Sequence, residues 1–300
     1  MIDAPAWLKP RLAALHDGPH RTGSLIVSLY GDAIVPRGGA LAVATLVEIM
    51  AAMGLGSGVV RTAVSRLVQE GWLEREEAGR RGVYRLAAPV RDSFAQATRL
   101  IYGPPPDDQD DGLVLVVLAD PERRDAARTA LAQAGFGFIA PTVAVAPRSR
   151  TAPPGAIPPG AIRLHAAGAS DADLTALARL AWPLEEVASR YRRFIEAYAA
   201  AAAALARPKP PEPLVALVAR VLLIHDFRRV ILRDPMLPAA LLPRDWPGTA
   251  ARRLCARLYS ALVGPAERWL DANASNGRGP LPGPDASFAS RFRDLAGVAA

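Results

Sequence analysis

The strongest constraint on this chain is an ordered run near its start. Three segments carry apolar residues at intervals of three and four, and two short alternating segments follow. Thr22–Tyr30, Ala40–Met53 and Ser57–Gln69 have the helical period. Trp72–Arg75 and Val83–Leu86 flank a glycine-containing turn over Glu77–Gly82 and read as a β-hairpin. Three helices and a hairpin in this order predict a winged helix-turn-helix. In that fold the third helix enters the DNA major groove and the hairpin lies on an adjacent backbone or minor groove.

The third segment has the side chains for that task. On Ser57–Gln69 the stripe Val60, Ala63/Val64 and Leu67 faces inward, which puts Arg61, Ser65 and Gln69 on one solvent strip with Thr62 and Arg66 beside it. Arginine can donate two hydrogen bonds to a guanine edge, and Ser and Thr hydroxyls suit phosphates. The hairpin tip Gly79-Arg80-Arg81-Gly82 adds two cations on a flexible backbone. The competing expectation is a solvated helix face in which Arg61 and Arg66 bridge Glu70 and Glu74, with Arg80 and Arg81 as ordinary loop charges. The ordered combination of helices, basic face and basic tip favours DNA.

Proline marks the remaining divisions. Tyr102–Asp111 combines three prolines with four aspartates and reads as a linker. Pro147–Pro159 and Arg207–Pro213 are further breaks, and Asn273–Pro284 has the Gly/Pro/Asn composition of a mobile tail. Between the breaks, Leu113–Ala119 is a strand-length apolar run, and Asp120-Pro121-Glu122 signals the start of a helix ending at Gly135. Phe136–Ala146 then resembles one strand or two. Helical patterns dominate from Asp173 onward, including Leu184–Ala206 and Leu214–Leu232. The expected fold is multidomain α+β. It has a winged helix-turn-helix over 20–100, a small ferredoxin-like unit over 111–172, a mostly α-helical C-terminal domain over 173–271 and a mobile tail over 272–300.

Several functions are disfavoured. Cys255 is the single cysteine of 300 residues and the four histidines are scattered, so neither a disulfide nor a metal site is expected. There is no apolar stretch near the start, and the runs Leu113–Ala119 and Ala197–Ala206 are too short or too alanine-rich to span a bilayer. The expectation is a cytoplasmic protein with no membrane contact. No catalytic residue stands out. His225 and Asp226 are adjacent, so on a helix they point about 100° apart, with no nucleophile nearby, and a cap explains Asp120. The net charge of +7 favours anionic partners. Residues 174–300 hold 18 basic against 11 acidic groups, so most of the excess lies outside the DNA-binding segment.

The strings SLIVSLYGDAIVPRGGALAVATLVEIMAAMGL (24–55), VVRTAVSRLVQEGWLERE (59–76) and GRRGVYRL (79–86) resemble the N-terminal domain of the PaaX family of bacterial transcriptional repressors. FGFIAP (136–141) is similar to a strand of the family's ferredoxin-like middle domain. HDFRRVILRDPMLPAALLPRDWPGTAARRLCARLY (225–259) is similar to its C-terminal signature. The resemblance implies a sequence-specific repressor of a catabolic operon, released from its double-stranded DNA operator by an aryl- or acyl-CoA thioester such as phenylacetyl-CoA, with no cofactor. It puts Arg61, Thr62, Ser65 and Arg66 on the recognition helix, and Arg80, Arg81 and Tyr84 on the wing. TVAVAP (142–147) departs from the family where a tryptophan is common, as does the proline-rich Pro147–Pro159, and if that strand lines the effector pocket the ligand differs from phenylacetyl-CoA. DNA readers of this kind commonly bind as homodimers.

For the effector, His225, Arg228 and Arg229 share a helix face and would converge on an anionic group such as a CoA phosphate. Arg192 and Arg193, between Tyr191 and Phe194, form a second basic cluster, and Trp246 would stack on a planar ring. The alternative pairs Asp226 with Arg229 or Arg233 and puts Trp246 in the core beside Pro243 and Pro247. The rival functions are an acyl-CoA-processing enzyme and a non-specific nucleic-acid-binding protein.

Overall fold

A computed structural model describes residues 2–15, 21–76, 82–104, 112–166 apart from 149, 151 and 153, 170–206 and 209–295. The chain is mixed α+β and divides into two compact units. The first comprises Met1–Pro104, Arg192–Leu232 and Thr249–Ala300, and the second Pro105–Tyr191 and Arg233–Gly248.

The first unit opens with a short helix α1 (Lys9–Ala13) and helix α2 (Arg21–Leu29), which widens into a π turn (Tyr30–Ile34) and then tightens into a 3₁₀ turn (Val35–Arg37). Strand β1 (Ala40–Ala42), helices α3 (Val43–Ala52) and α4 (Ser57–Gln69), and strands β2 (Leu73–Glu76) and β3 (Val83–Leu86) follow. The strands form an antiparallel sheet of order β1-β3-β2, with Leu41 opposite Tyr84 and Leu73 opposite Leu86. Sequence periodicity had merged β1 into the second helix. Ala42 is extended instead, its N–H donating to the Ser275 carbonyl (2.8 Å), and Val43 N–H donates to Gly82 (2.9 Å). The helix therefore starts at Val43.

Glycine sets the turns around α4. After α3, Gly54 adopts φ 85°, and the N–H groups of Gly54 and Leu55 return to Ala51 and Met50. After α4, Gly71 adopts φ 73° and the N–H groups of Gly71 and Trp72 return to Val68 and Leu67. Both are Schellman caps, whose left-handed residue is usually glycine. A Cβ at Gly71 would meet nothing within 4 Å. Gly71→Ala should therefore lower stability by the conformational penalty alone, about 1–2 kcal/mol, as a lower urea midpoint.

Helix α5 (Arg91–Tyr102) brings Phe94 edge-on to Trp72, their centroids 6.1 Å apart. The later half of α8 (Leu184–Leu205), α9 (Pro213–Ile231) and nearly all of α10 (Gly248–Asn273) join the same unit. The helical C-terminal region thus does not stand apart as one domain. Helix α9 is buried on nearly every side, including Arg220, which is fully enclosed. Arg220 Nε donates to Asp32 (2.7 Å), and its Nη1 to Glu267. Asp32 also accepts from the hydroxyls of Tyr102 (2.7 Å) and Tyr259 (3.1 Å) and from Arg291 (3.0 Å). Arg37 donates to Glu267 and to Asp271 (2.8 Å). Burial works against the Arg220 charge, but Asp32, Tyr259 and Glu267 hold its pKa above the usual value.

The expected mobile tail is ordered through residue 295. Leu281 and Phe292 are buried, Arg291 enters the Asp32 network, and Arg37 donates to the Pro282 carbonyl (2.9 Å). The Gly/Pro-rich stretch is held by side chains distant in sequence.

In the second unit, β4 (Leu113–Val117), β5 (Gly137–Ala140), β6 (Val143–Pro147) and β7 (Ile162–His165) make an antiparallel sheet of order β5-β6-β4-β7, with helix α6 (Arg124–Gln133) between β4 and β5 in the chain. Alternation divides its faces. Val116, Ala144 and Ala146 pack with Ala127 and Leu131 of α6. Leu113 and Val145 pack with Ala178 of α7 (Asp171–Ala181) and with Trp182. The strand order is that of a ferredoxin-like sheet, but α7 follows β7 and covers the face opposite α6. The proline-rich residues 147–159 occupy the chain position of a second crossover helix, and proline there prevents helix. Asp120 caps a turn, accepting from Glu122 N–H (2.9 Å). No helix among the described residues is long and apolar enough to cross a membrane.

Candidate nucleic-acid interface

Helix α4 is anchored by buried Val60, Val64 and Leu67, so its other side is presented outward by packing. Arg61, Thr62, Ser65, Arg66 and Gln69 are all exposed, as their spacing requires. The Ser65 hydroxyl donates to the Arg61 carbonyl one turn back (3.1 Å). Arg66 lies 3.7 Å from Glu70, and this weak exposed pair is the one α4 ion pair that the competing expectation foresaw. Glu74 pairs with Arg85 (3.7 Å) and Arg91 (4.0 Å) instead.

Tyr84 is half-buried on the central strand β3. Its carbonyl accepts from the Tyr30 hydroxyl (2.9 Å), which ties α2 to the sheet. Arg80 and Arg81 lie outside the described residues. The sequence reading missed one cation beside the hairpin. Arg278 donates to Glu76 on β2 (3.0 Å), and its own side chain is 70% exposed. Its only sequence signal is a positive charge in a stretch that composition marks as loose.

The residues expected to bind an effector do not form one cluster. His225 is 1% exposed and lies 3.0 Å by Nδ1 from Ser28 Oγ. The Ser28 hydroxyl also reaches the Ser24 carbonyl (2.9 Å). Nε2 is buried without a partner. Burial, reinforced by Arg228 and Arg229 and opposed by Asp226, pushes the His225 pKa down to about 4. The ring is therefore neutral at pH 7 and supplies no charge to an anion. Asp226 accepts from Arg11 (2.5 Å) and Tyr198 (2.8 Å).

Trp246 is half-buried in the second unit, edge-on to Tyr191 at 5.9 Å, and packs against the cluster of Leu113 and Trp182. This is the core-filling role. Arg192, Arg193 and Arg229 are exposed in the first unit. Arg228 is half-buried there, its Nη2 donating to Ser24 Oγ (2.9 Å).

Comparison with known proteins fits this layout. The family described as PaaX-like protein matches residues 21–90, and the PaaX-like protein C-terminal domain matches residues 182–272. The transcriptional repressor PaaX of Escherichia coli K12 is 31% identical over 301 aligned residues, covering 91% of this chain and 90% of that one. The uncharacterized protein Rv0674 from Mycobacterium tuberculosis shares the fold at a TM-score of 0.50 and 22% identity, with 75% of this chain and 89% of that one covered. The helix α4 face and the family matches on either side of the central β unit therefore lead to one assignment: the chain belongs to the PaaX family.

Proposed function

We propose that this chain is a transcriptional repressor and that residues 21–86 read DNA as a winged helix-turn-helix. The observation that carries the reading is the face of α4. Arg61, Thr62, Ser65 and Arg66 are exposed on a helix braced by a three-stranded sheet, in a chain 31% identical to a repressor along most of its length. Arg61 donates to a base edge, Thr62 and Ser65 meet phosphate, and the wing with Arg80, Arg81 and Tyr84 lies along the neighbouring backbone. The protein acts in the cytoplasm as a homodimer on a two-fold operator. An aryl- or acyl-CoA thioester, phenylacetyl-CoA or a relative of it, releases the operator by binding better to a conformation that no longer fits the half-site spacing. Arg192, Arg193 and Arg229 are the cations that would meet its phosphates, and no catalytic step is involved.

The test is a gel-shift titration of the full chain on its own promoter region and on a scrambled duplex at physiological salt. Acyl-CoA is then added and free CoA assayed. The expected result is a preference for the promoter of at least about a thousandfold, weakened by the thioester without CoA release. Equal binding to both duplexes would leave a non-specific nucleic-acid binder, and release of CoA would make the protein an enzyme.

A further inference from the structure

One cavity in the first unit has no assigned role. A cleft of about 610 Å³ opens between α2 and α4, beside the end of α9. Its size is that of a small-molecule site. Its apolar lining includes Val27, Val59, Leu67 and Trp72, and Val59 is 54% exposed. Its polar lining includes Ser24, Thr62, Arg66 and Arg228, with Glu70, which pairs with Arg66 (3.7 Å).

Arg228 is the telling residue. A guanidinium keeps its charge in proteins and carries five N–H donors. Here Nη2 serves Ser24, Nε is buried with no hydrogen-bond partner, and among the described residues no carboxylate pairs with the group. Its charged neighbour Arg229 has the same sign. Burial first, and then Arg229, hold the Arg228 pKa below the usual arginine value. A half-buried cation without an ion-pair partner among the described residues, in a cleft that also has an apolar lining, is complementary to a molecule with an anionic head and an apolar body.

We propose that this cleft binds a small amphipathic carboxylate, its head on Arg228 and its aryl or alkyl body against Val59 and Trp72, and that its occupation opposes DNA binding. The antagonism follows from shared residues and rests on the repressor reading; the binding itself does not. Thr62 and Arg66 line the cleft and also border the outward face of α4, so a ligand that engages them withdraws them from DNA. By linkage, DNA weakens the ligand by the same factor. A DNA phosphate is the other anion that would reach Arg228. It needs no apolar lining, and Arg61 and Ser65 lie outside the cleft lining and stay free for the duplex.

The probes are hexanoate, 3-phenylpropionate, their neutral amides and inorganic phosphate, titrated calorimetrically into the full chain without DNA. Saturable binding of the carboxylates, with the amides at least about tenfold weaker, is the expected result. Arg228→Met should weaken the carboxylates by about tenfold or more. Val59→Trp, at an exposed position where folding is not at stake, should do the same by filling the cleft, and Arg61→Ala should leave them unchanged. A second titration follows promoter DNA with and without 3-phenylpropionate, and the ligand should raise the apparent Kd several-fold.

No saturation below about 10 mM, equal affinity for acid and amide, or indifference to both cleft variants would overturn the site. Phosphate binding as tightly as the carboxylates would mark a DNA phosphate contact instead. Ligand binding that leaves DNA affinity unchanged would overturn the antagonism. Failure to bind DNA at all would end the repressor reading and the antagonism with it, leaving the cleft to be judged by the first titration.

Discussion

Asp32→Ala should destabilise the first unit by about 3–5 kcal/mol, the cost of leaving buried charge without its partner. Asp32 is 1% exposed and receives hydrogen bonds from two arginines and two tyrosines. Removing its carboxylate strips Arg220 of its nearest counter-charge in a fully enclosed site, and leaves the hydroxyls of Tyr102 and Tyr259 without their acceptor. The attraction to Glu267 remains, so the loss is partial. Because the network joins the turn after α2 to α9, α10 and the tail, the effect should reach all of them. Hydrogen exchange on peptides from α2, α9 and α10 reads it as a joint loss of protection. A change under about 1 kcal/mol, the scale of exposed ion pairs, would show that the network contributes little.

Acidification should remove about 3 kcal/mol between roughly pH 6.5 and pH 4, through His225 alone. The folded pKa is about 4 and the ordinary histidine value is 6.5. In that window the unfolded chain binds a proton that the folded chain refuses, so stability rises with pH. The contribution is complete above pH 6.5 and is lost as pH falls toward 4. Other groups also titrate in acid, so the measurement compares the wild type with His225→Gln. The variant should start less stable at pH 7 and lose less on acidification. Parallel curves for the two proteins would mean that the ring does not carry this pH dependence.

What the sequence reveals depends on whether the cause of an element is local. Helix α4 and the hairpin strands are legible because period and turn residues lie within the segments themselves. Strand β1 is not, because Ala-Leu-Ala has no period and little strand preference, and pairing with β3 makes it extended. Strand β7 is hidden for a similar reason, lying between a proline-rich stretch and small residues. The tail is misread because its composition is that of a loop while Arg291 and Phe292 find partners over 150 residues away, in Asp32 and Tyr102. Exposure of Arg61, Thr62, Ser65 and Arg66 follows from helical spacing. The neutrality of His225 and the missing counter-charge of Arg228 do not, since both depend on which groups the fold brings near.

The most direct test of the central claim, that α4 reads DNA through its outward face, is a fluorescence-anisotropy titration of the wild type and Arg61→Ala. It is run on the promoter site and on every single-base-pair variant of it, at fixed salt. The account predicts that the wild type discriminates at each read position. Arg61→Ala should lose about 1–3 kcal/mol of that discrimination at one G·C pair and keep it elsewhere. An Arg61→Ala protein with the wild-type affinity and base preferences throughout would contradict it.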